Sequence, residues 1–199
     1  MPRPARFSRQ DLLDAAVRVC VQNGPGALTI AAVATASGAP VGSIYHRFAS
    51  REHLLAETWV ATLAAFQPGF IAALGRDSDP PGLDAALFSV NWARINPEAA
   101  RLLVLYRRHD FVVTDLPDRL RNWAAQLASE LGDAIARFAS TAFGDEGLAA
   151  KQRATFLVLD LPNAAMRRYL GAGIAPPQEV DKLVAEAFTA MSTAATASD

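Results

Sequence analysis

The side chains best suited to chemistry fall between Thr29 and Arg51, in the stretch T-I-A-A-V-A-T-A-S-G-A-P-V-G-S-I-Y-H-R-F-A-S-R. Hydroxyls at Thr29, Ser43 and Tyr45 lie near His46, Arg47 and Arg51, a set of hydrogen-bond donors and cations. Thr29 has the chemistry of an N-cap, because its hydroxyl accepts from an otherwise unpaired N–H of a first helical turn. Ile30, Val33 and Ala34 follow at i, i+3 and i+4, which puts them on one helical face. Gly38 then supplies the positive φ that a tight turn needs. Pro40 fits the first position of a second, short helix reaching about Phe48, with Ile44 and Phe48 on its buried side. Two short helices joined by such a turn form the helix-turn-helix pattern, whose second helix enters the DNA major groove.

Enzymatic chemistry finds little support. His46 and His53 lie near Ser43 and Ser50, but all four belong to the same helix-turn-helix region. His109 precedes Asp110 without a serine or cysteine nucleophile in context, and the pair Asp145-Glu146 flanks a helix start, where capping explains it. No phosphate loop, dinucleotide fingerprint or metal-ligand spacing occurs, so neither a catalytic residue nor a metal or cofactor is expected. The single cysteine, Cys20, falls on the apolar face of the first helix and reads as a buried structural thiol.

The 199 residues are 51% hydrophobic and 20% charged with a net charge of −1, an ordinary globular composition. No uninterrupted apolar run reaches the ~18 residues of a membrane span, and no membrane partner is expected. The opening Met1-Pro2-Arg3-Pro4 lacks the apolar segment of a signal peptide, so a cytoplasmic location is expected. The charge is unevenly spread. Residues 1–55 carry six arginines against three carboxylates, a net +3, which leaves −4 on residues 56–199. A basic head on an acidic body suits a protein whose head meets phosphates.

The elements that must position this head follow in order. Met1 to Phe7 reads either as a basic arm reaching DNA through Arg3 and Arg6 or as a disordered tail. Ser8 opens a first helix with Asp11 at capping-box spacing, and Asn23-Gly24-Pro25-Gly26 ends it. Ser50 caps a fourth helix from Arg51 to about Leu74, which Pro68 should kink or interrupt. A linker reaches Gly82, and the helix from Leu83 to about Asn96 is apolar on two faces, which predicts a central place in the body. Pro97 starts a sixth helix and Pro117 a long seventh that ends at Gly144. The last two span about Glu146–Leu170 and Pro177–Met191. With no alternating strand pattern, the expectation is an all-α chain of about nine helices: a helix-turn-helix head over residues 1–50 and a larger helical body over 51–199.

Arg9, Leu12, Ala15-Ala16, Gly24, Leu28-Thr29, Val33-Ala34, Gly38, Gly42-Ser43-Ile44-Tyr45, Phe48, Ser50-Arg51 and Leu54-Leu55 resemble the N-terminal domain of TetR-type transcriptional regulators. The resemblance covers roughly residues 6–56; beyond that only architecture and length are similar. It implies a homodimer that binds a near-palindromic operator in double-stranded DNA. It places Pro40, Val41, Gly42, Ser43, Tyr45 and His46 at the groove, with Ser43, Tyr45, Thr29 and the N-terminus of the helix at Arg51 on phosphates. Pro40 and Val41 stand where many members have Ser and a polar residue, and Arg47 replaces a frequent aromatic or His and adds a cation within phosphate range. Val41 can pack on a thymine methyl but cannot hydrogen-bond guanine.

The resemblance also implies a small-molecule effector enclosed by the middle helices. Phe66, Phe70, Phe88, Trp92, Tyr106, Phe111 and Trp123 are its candidate apolar lining, with Asn91, Arg94, His109 and Gln126 as candidate polar anchors. The effector expected is apolar or aromatic, and its binding would release a repressor from DNA. A regulator controlled by a partner or by abundance, with no inducer, is the alternative. Phe156, Leu161, Val184 and Phe188 are the surfaces expected to pair in the dimer.

Overall fold

The computed structural model describes residues 7–111, 116–145 and 147–193. Within them the chain is all-α. The arm Met1–Arg6 and the helix start expected at Glu146 lie outside the described residues.

Three helices form the head. The first, α1 (Arg9–Asn23), is opened by the Ser8/Asp11 capping box and closed by Gly24 at φ +84°. Thr29 caps α2 (Ile30–Ser37) by accepting from the Ala32 N–H at 3.0 Å, and Gly38 ends it in the left-handed region. The next helix, α3 (Val41–Tyr45), is shorter than its sequence pattern implies. Pro40 is extended and flanks the helix, and beyond Tyr45 the chain turns so that Phe48 still reaches the core.

Ser50 caps α4 (Arg51–Leu74), which leaves the head and runs unbroken through Pro68 into the body. By length and composition α4 could cross a membrane, yet Leu54, Leu55, Trp59, Val60 and Phe70 are buried against the protein's own helices. The body continues with α5 (Leu83–Ile95), α6 (Pro97–Leu105) and α7 (Asp118–Phe143). Then α8 (Leu148–Thr155) passes through a single π turn, Phe156–Asp160, into α9 (Leu161–Gly171), and α10 (Glu179–Thr193) closes the described chain. Counting α8 and α9 as one rod gives the expected nine helices among the described residues.

The central place expected for α5 is what the packing gives, since it touches α4, α6, α9 and α10. Its fully buried face is built of small residues, Ala85, Ala86, Ser89, Val90 and Ala93, which lets its neighbours approach closely. The large Phe88 and Trp92 are only partly buried. Close approach also explains Gly69 on α4, where an added Cβ would lie 2.5 Å from the Phe88 ring.

Buried side chains form two clusters. One joins Leu12, Ile44 and Phe48 of the head to Trp59 and Val60 of α4, and to Leu102, Phe111 and Leu120 beyond it. The other fills the body with Phe70, Val90, Phe138, Leu157, Met166, Val184 and Phe188. Helix α4 contributes to both.

Two outcomes follow from this packing. Gly82 has φ +87°, and a Cβ there would stand 2.5 Å from the Phe138 ring, so Gly82→Ala combines backbone strain with overpacking. It should cost about 1–3 kcal/mol and lower the thermal midpoint by several degrees; an unchanged melt would refute this account of the turn. Burial pushes the Cys20 thiol up to about 12, so the native chain should resist a thiol-specific disulfide reagent at pH 8. Modification should appear only as the chain unfolds in denaturant.

Candidate nucleic-acid interface and effector cavity

The surface of the head divides sharply by side-chain type. Ile44 and Phe48 are fully buried, while Val41 and Tyr45 are 45% and 55% exposed, an unusual display for large apolar side chains. Thr29, Pro40, Gly42 and His46 are exposed beside them, and Ser43 is half-buried. One rim of the head therefore carries a hydroxyl, a phenol, an imidazole and an open glycine backbone. An added Cβ at Gly42 would meet nothing within 4 Å, so Gly42 leaves a free approach to the helix.

Both candidate arginines of this region brace the head. Arg47 donates to Ser43 O and Ser43 Oγ, each at 2.9 Å, and to Phe7 O at 2.7 Å, tying the end of α3 to the entry of α1. Arg51 donates to Leu28 O at 2.5 Å and to Pro25 O at 3.1 Å, locking the start of α4 onto the turn before α2. The family resemblance implies phosphate contacts at Arg47 and at the helix N-terminus that Arg51 begins. The fold gives their guanidinium groups carbonyl partners that position the loops.

The chief brace is ionic. Arg9 makes a two-pronged hydrogen bond through Nε and Nη2 to the carboxylate of Glu57 on α4, and its Nη1 reaches Arg47 O at 2.9 Å. The guanidinium also lies 4.4 Å above the Phe48 ring, a cation–π contact. The Glu57 hydrogen bond raises the Arg9 pKa further above its usual value. His53 Nε2 adds a third group 3.2 Å from the same carboxylate. One carboxylate thus gathers α1, the loop after α3 and α4. A second set of ties comes from the body: Tyr106 donates its hydroxyl to Cys20 O at 3.2 Å and Arg101 donates to Val21 O at 3.3 Å. Val21 O is one of the carbonyls that a helix end leaves unpaired, while Cys20 O also accepts from the Gly24 N–H at 2.8 Å.

In the body, a cavity of about 160 Å³ lies between α4, α5, α6, α7, α9 and the π turn. Of the seven aromatics marked in the sequence as its lining, only Phe66 and Trp92 line it, edge to face at 5.1 Å. Phe70 and Phe88 pack behind Phe66, at 5.4 and 5.8 Å between ring centroids. Tyr106, Phe111 and Trp123 belong to the head-side cluster instead. The structure therefore separates residues that the sequence grouped.

None of the four polar anchors expected lines the cavity either. Arg94 is held by Asp181 at 2.5 Å and by Pro176 O, Gln126 pairs with Glu130, and Asn91 and His109 are exposed. The polar groups that do line it are Gln67, Ser89 and Asn163, together with the indole of Trp59. Gln67 donates to Leu127 O at 2.7 Å and Ser89 to Ala85 O at 3.1 Å. Trp59 Nε1 is buried with no acceptor, a state that costs about 1–3 kcal/mol when left unmet. Sequence reading passed over Gln67, Ser89 and Asn163 because lone polar residues on apolar helices carry no periodic signal.

The expected pairing surface needs correction. Val184 and Phe188 are 1% and 0% exposed and fill the body's own core, so neither is free for a partner. Leu161 is half-buried, and Phe156 is 43% exposed. The outward apolar residues of α10 are Leu183, next to Val184 in sequence, and Met191, three residues beyond Phe188.

A helix-turn-helix head braced on a larger helical body is the plan of a DNA-binding transcriptional regulator. Comparison with known proteins narrows the class. Residues 12–58 match the family described as "Bacterial regulatory proteins, tetR family". The chain is 28% identical over 134 residues to the HTH-type transcriptional regulator BetI of Brucella anthropi, covering 66% of this chain and 69% of that protein. A TetR-like transcriptional regulator from Rhodococcus sp. RHA1 superposes over 100% of both chains with a TM-score of 0.69 at 16% identity. The regulator FadR from Bacillus subtilis, solved in complex with stearoyl-CoA, has a TM-score of 0.65 at 12% identity over 94% of this chain and 98% of that one. At such identities these two structures speak for the fold alone. Residues 12–58 are a helix-turn-helix domain of the TetR family, and the chain that carries them is a DNA-binding transcriptional regulator.

The ionic brace yields a prediction. Arg9→Ala strands Glu57, whose side chain is 10% exposed, with only His53 beside it. Stability should fall by about 1–3 kcal/mol in urea unfolding, and DNA affinity should fall with it because the loop after α3 loses its anchor. A variant as stable and as tightly bound as the parent would show the brace to be idle.

Proposed function

We propose that the chain is a homodimeric repressor whose paired heads bind a near-palindromic operator, and that a small neutral effector, apolar or aromatic, releases it. Residues 1–50 act as the reading head and 51–199 as the effector-binding and dimerising body. The observation that carries this reading is the exposure of Val41 and Tyr45 on a helix whose Ile44 is fully buried. Such a display has a use only if another surface covers it.

In this reading Thr29, Ser43 and Tyr45 donate to phosphate oxygens and fix the register of the head. Pro40, Val41 and Gly42 come closest to the bases, with Val41 against a thymine methyl. His46 flanks the groove, while Arg47 and Arg51 add local positive charge from their braced positions. One head offers few contacts, so two must act together, about 34–36 Å apart or a little more on one face of the duplex. The dimer surface is the outward side of α8, α9 and α10, with Phe156, Leu183 and Met191 exposed and Leu161 half-buried. The work is done on DNA in the cytoplasm.

Release follows from geometry. Helix α4 carries the head at one end and the cavity residues Trp59, Leu63, Phe66 and Gln67 along its middle, so a ligand that shifts it alters the separation of the two heads. A ligand changes DNA binding only as far as it prefers the DNA-incompetent state. Weakening the operator about 100-fold asks for about 2.7 kcal/mol of preference, within what burial of a ring-sized apolar molecule supplies. The lining offers no charged side chain to receive the phosphates of an acyl-CoA like that in the Bacillus subtilis complex, which favours a neutral ligand.

Selection of duplexes from a random pool tests the DNA reading, and an enriched near-palindrome is the expected product. On the selected duplex, Tyr45→Ala should weaken binding to all sequences by about tenfold, whereas Val41→Ala should mainly relax preference at one base pair. Equal loss of affinity and discrimination in both variants would defeat this division of labour.

A further inference from the structure

Resting on the effector reading above, we infer that the cavity takes a neutral molecule of about one aromatic ring that presents a hydrogen-bond acceptor to Trp59 Nε1. Size comes first. The volume of about 160 Å³ is close to the ~150 Å³ at which a dry apolar cavity holds benzene. Shape agrees, because Phe66 and Trp92 meet edge to face at 5.1 Å and offer one flat wall and one ring edge.

Charge is excluded by the lining. No Asp, Glu, Lys, Arg or His borders the cavity, so a carboxylate or an ammonium bound there would be desolvated without a counter-charge. Polarity is nevertheless required. The indole N–H can only donate, and Trp59 Nε1 is buried without an acceptor. The Ser89 hydroxyl already donates to Ala85 O and one N–H of Gln67 to Leu127 O. A ligand oxygen is therefore the group that satisfies Trp59, and the side-chain amide of Asn163, half-buried in the same wall, is engaged by no other described residue and serves a second polar atom.

The position of Trp59 gives the contact a consequence. Its ring stacks on Phe111 with centroids 4.9 Å apart, and it belongs to the cluster that holds α1. Phe66 and Trp92 belong with the body cluster. A molecule held by all three touches both cores, so its arrival is felt by the head through Trp59, the lining aromatic that belongs to the head-side core.

The probes are acetophenone, ethylbenzene and benzoate, which match in ring and differ in acceptor and charge, titrated into the full-length chain free of DNA. Acetophenone should move the Trp59 indole ¹H–¹⁵N resonance downfield and ethylbenzene should leave it nearly in place, a measurement that needs no variant beyond assignment. In Trp59→Phe the acetophenone-to-ethylbenzene affinity ratio should fall about tenfold while ethylbenzene still binds. Benzoate should bind at least 100-fold more weakly than acetophenone. An unmoved indole resonance, an unchanged ratio in Trp59→Phe, benzoate binding as tight as acetophenone, or no binding of either neutral probe would each overturn the inference. Titration of the selected duplex in parallel separates the two readings. A chain that fails to bind DNA but binds the neutral probes as expected overturns the regulator and leaves the cavity chemistry standing. One that binds DNA but neither neutral probe overturns the cavity chemistry alone.

Discussion

The carboxylate of Glu57 is the constraint on which the arrangement of the head depends. Taking a carboxylate out of water is costly unless it is paired and hydrogen-bonded, and Glu57 meets that demand with the fork of Arg9 and with His53 at 3.2 Å. Arg9 in turn holds the carbonyl of Arg47 and lies over Phe48. Three segments far apart in sequence therefore meet at one charge. Apolar packing of Leu12, Ile44 and Phe48 is not directional. The ion pair is, and it fixes the angle at which α3 is offered.

At its other end α1 is gripped by the body. Tyr106 and Arg101 occupy the carbonyls of Cys20 and Val21, so the head is clamped at both ends of its first helix rather than hung from α4 alone. The buried cluster that contains α1 also contains Leu102, Phe111, Leu120 and Leu127. Mechanically, head and upper body share one core, and a displacement of α6 or α7 reaches α1 without passing along the whole of α4.

The sequence spoke clearly where a local rule decides the outcome. Ser8 with Asp11, Thr29, Gly38 and Ser50 mark helix ends through their own hydroxyls or their own φ, and each cap forms as expected. The helix-turn-helix could be read because Ile30, Val33, Ile44 and Phe48 bury on helical spacing. It was silent where partners are remote. Arg47 and Arg51 look like surface cations until Phe7 O and Leu28 O come within reach. The aromatics split between two cores because α4 passes through both, and a list of aromatic residues holds no information about that division. Val184 and Leu183 adjoin in sequence, and a small rotation of α10 decides that the first fills the core while the second faces out. Period alone fixes such a rotation only to within about one residue.

The π turn at Phe156–Asp160 has an effect beyond its neighbourhood. A π turn accommodates one surplus residue, and each residue advances a helix by about 100°, so α8 and α9 are out of phase with a continuous α-helix by about that amount. Leu157 and Val158, adjacent in sequence, both bury as a result, Leu159 reaches the cavity, and Phe156 stays outside. The rod thus behaves as two gears on one axle, one meshed with the cavity wall and one with the outer face. Substitutions that reshape the interior need not turn the exterior, and a lineage could exchange one chemical signal for another while its subunit geometry stays put.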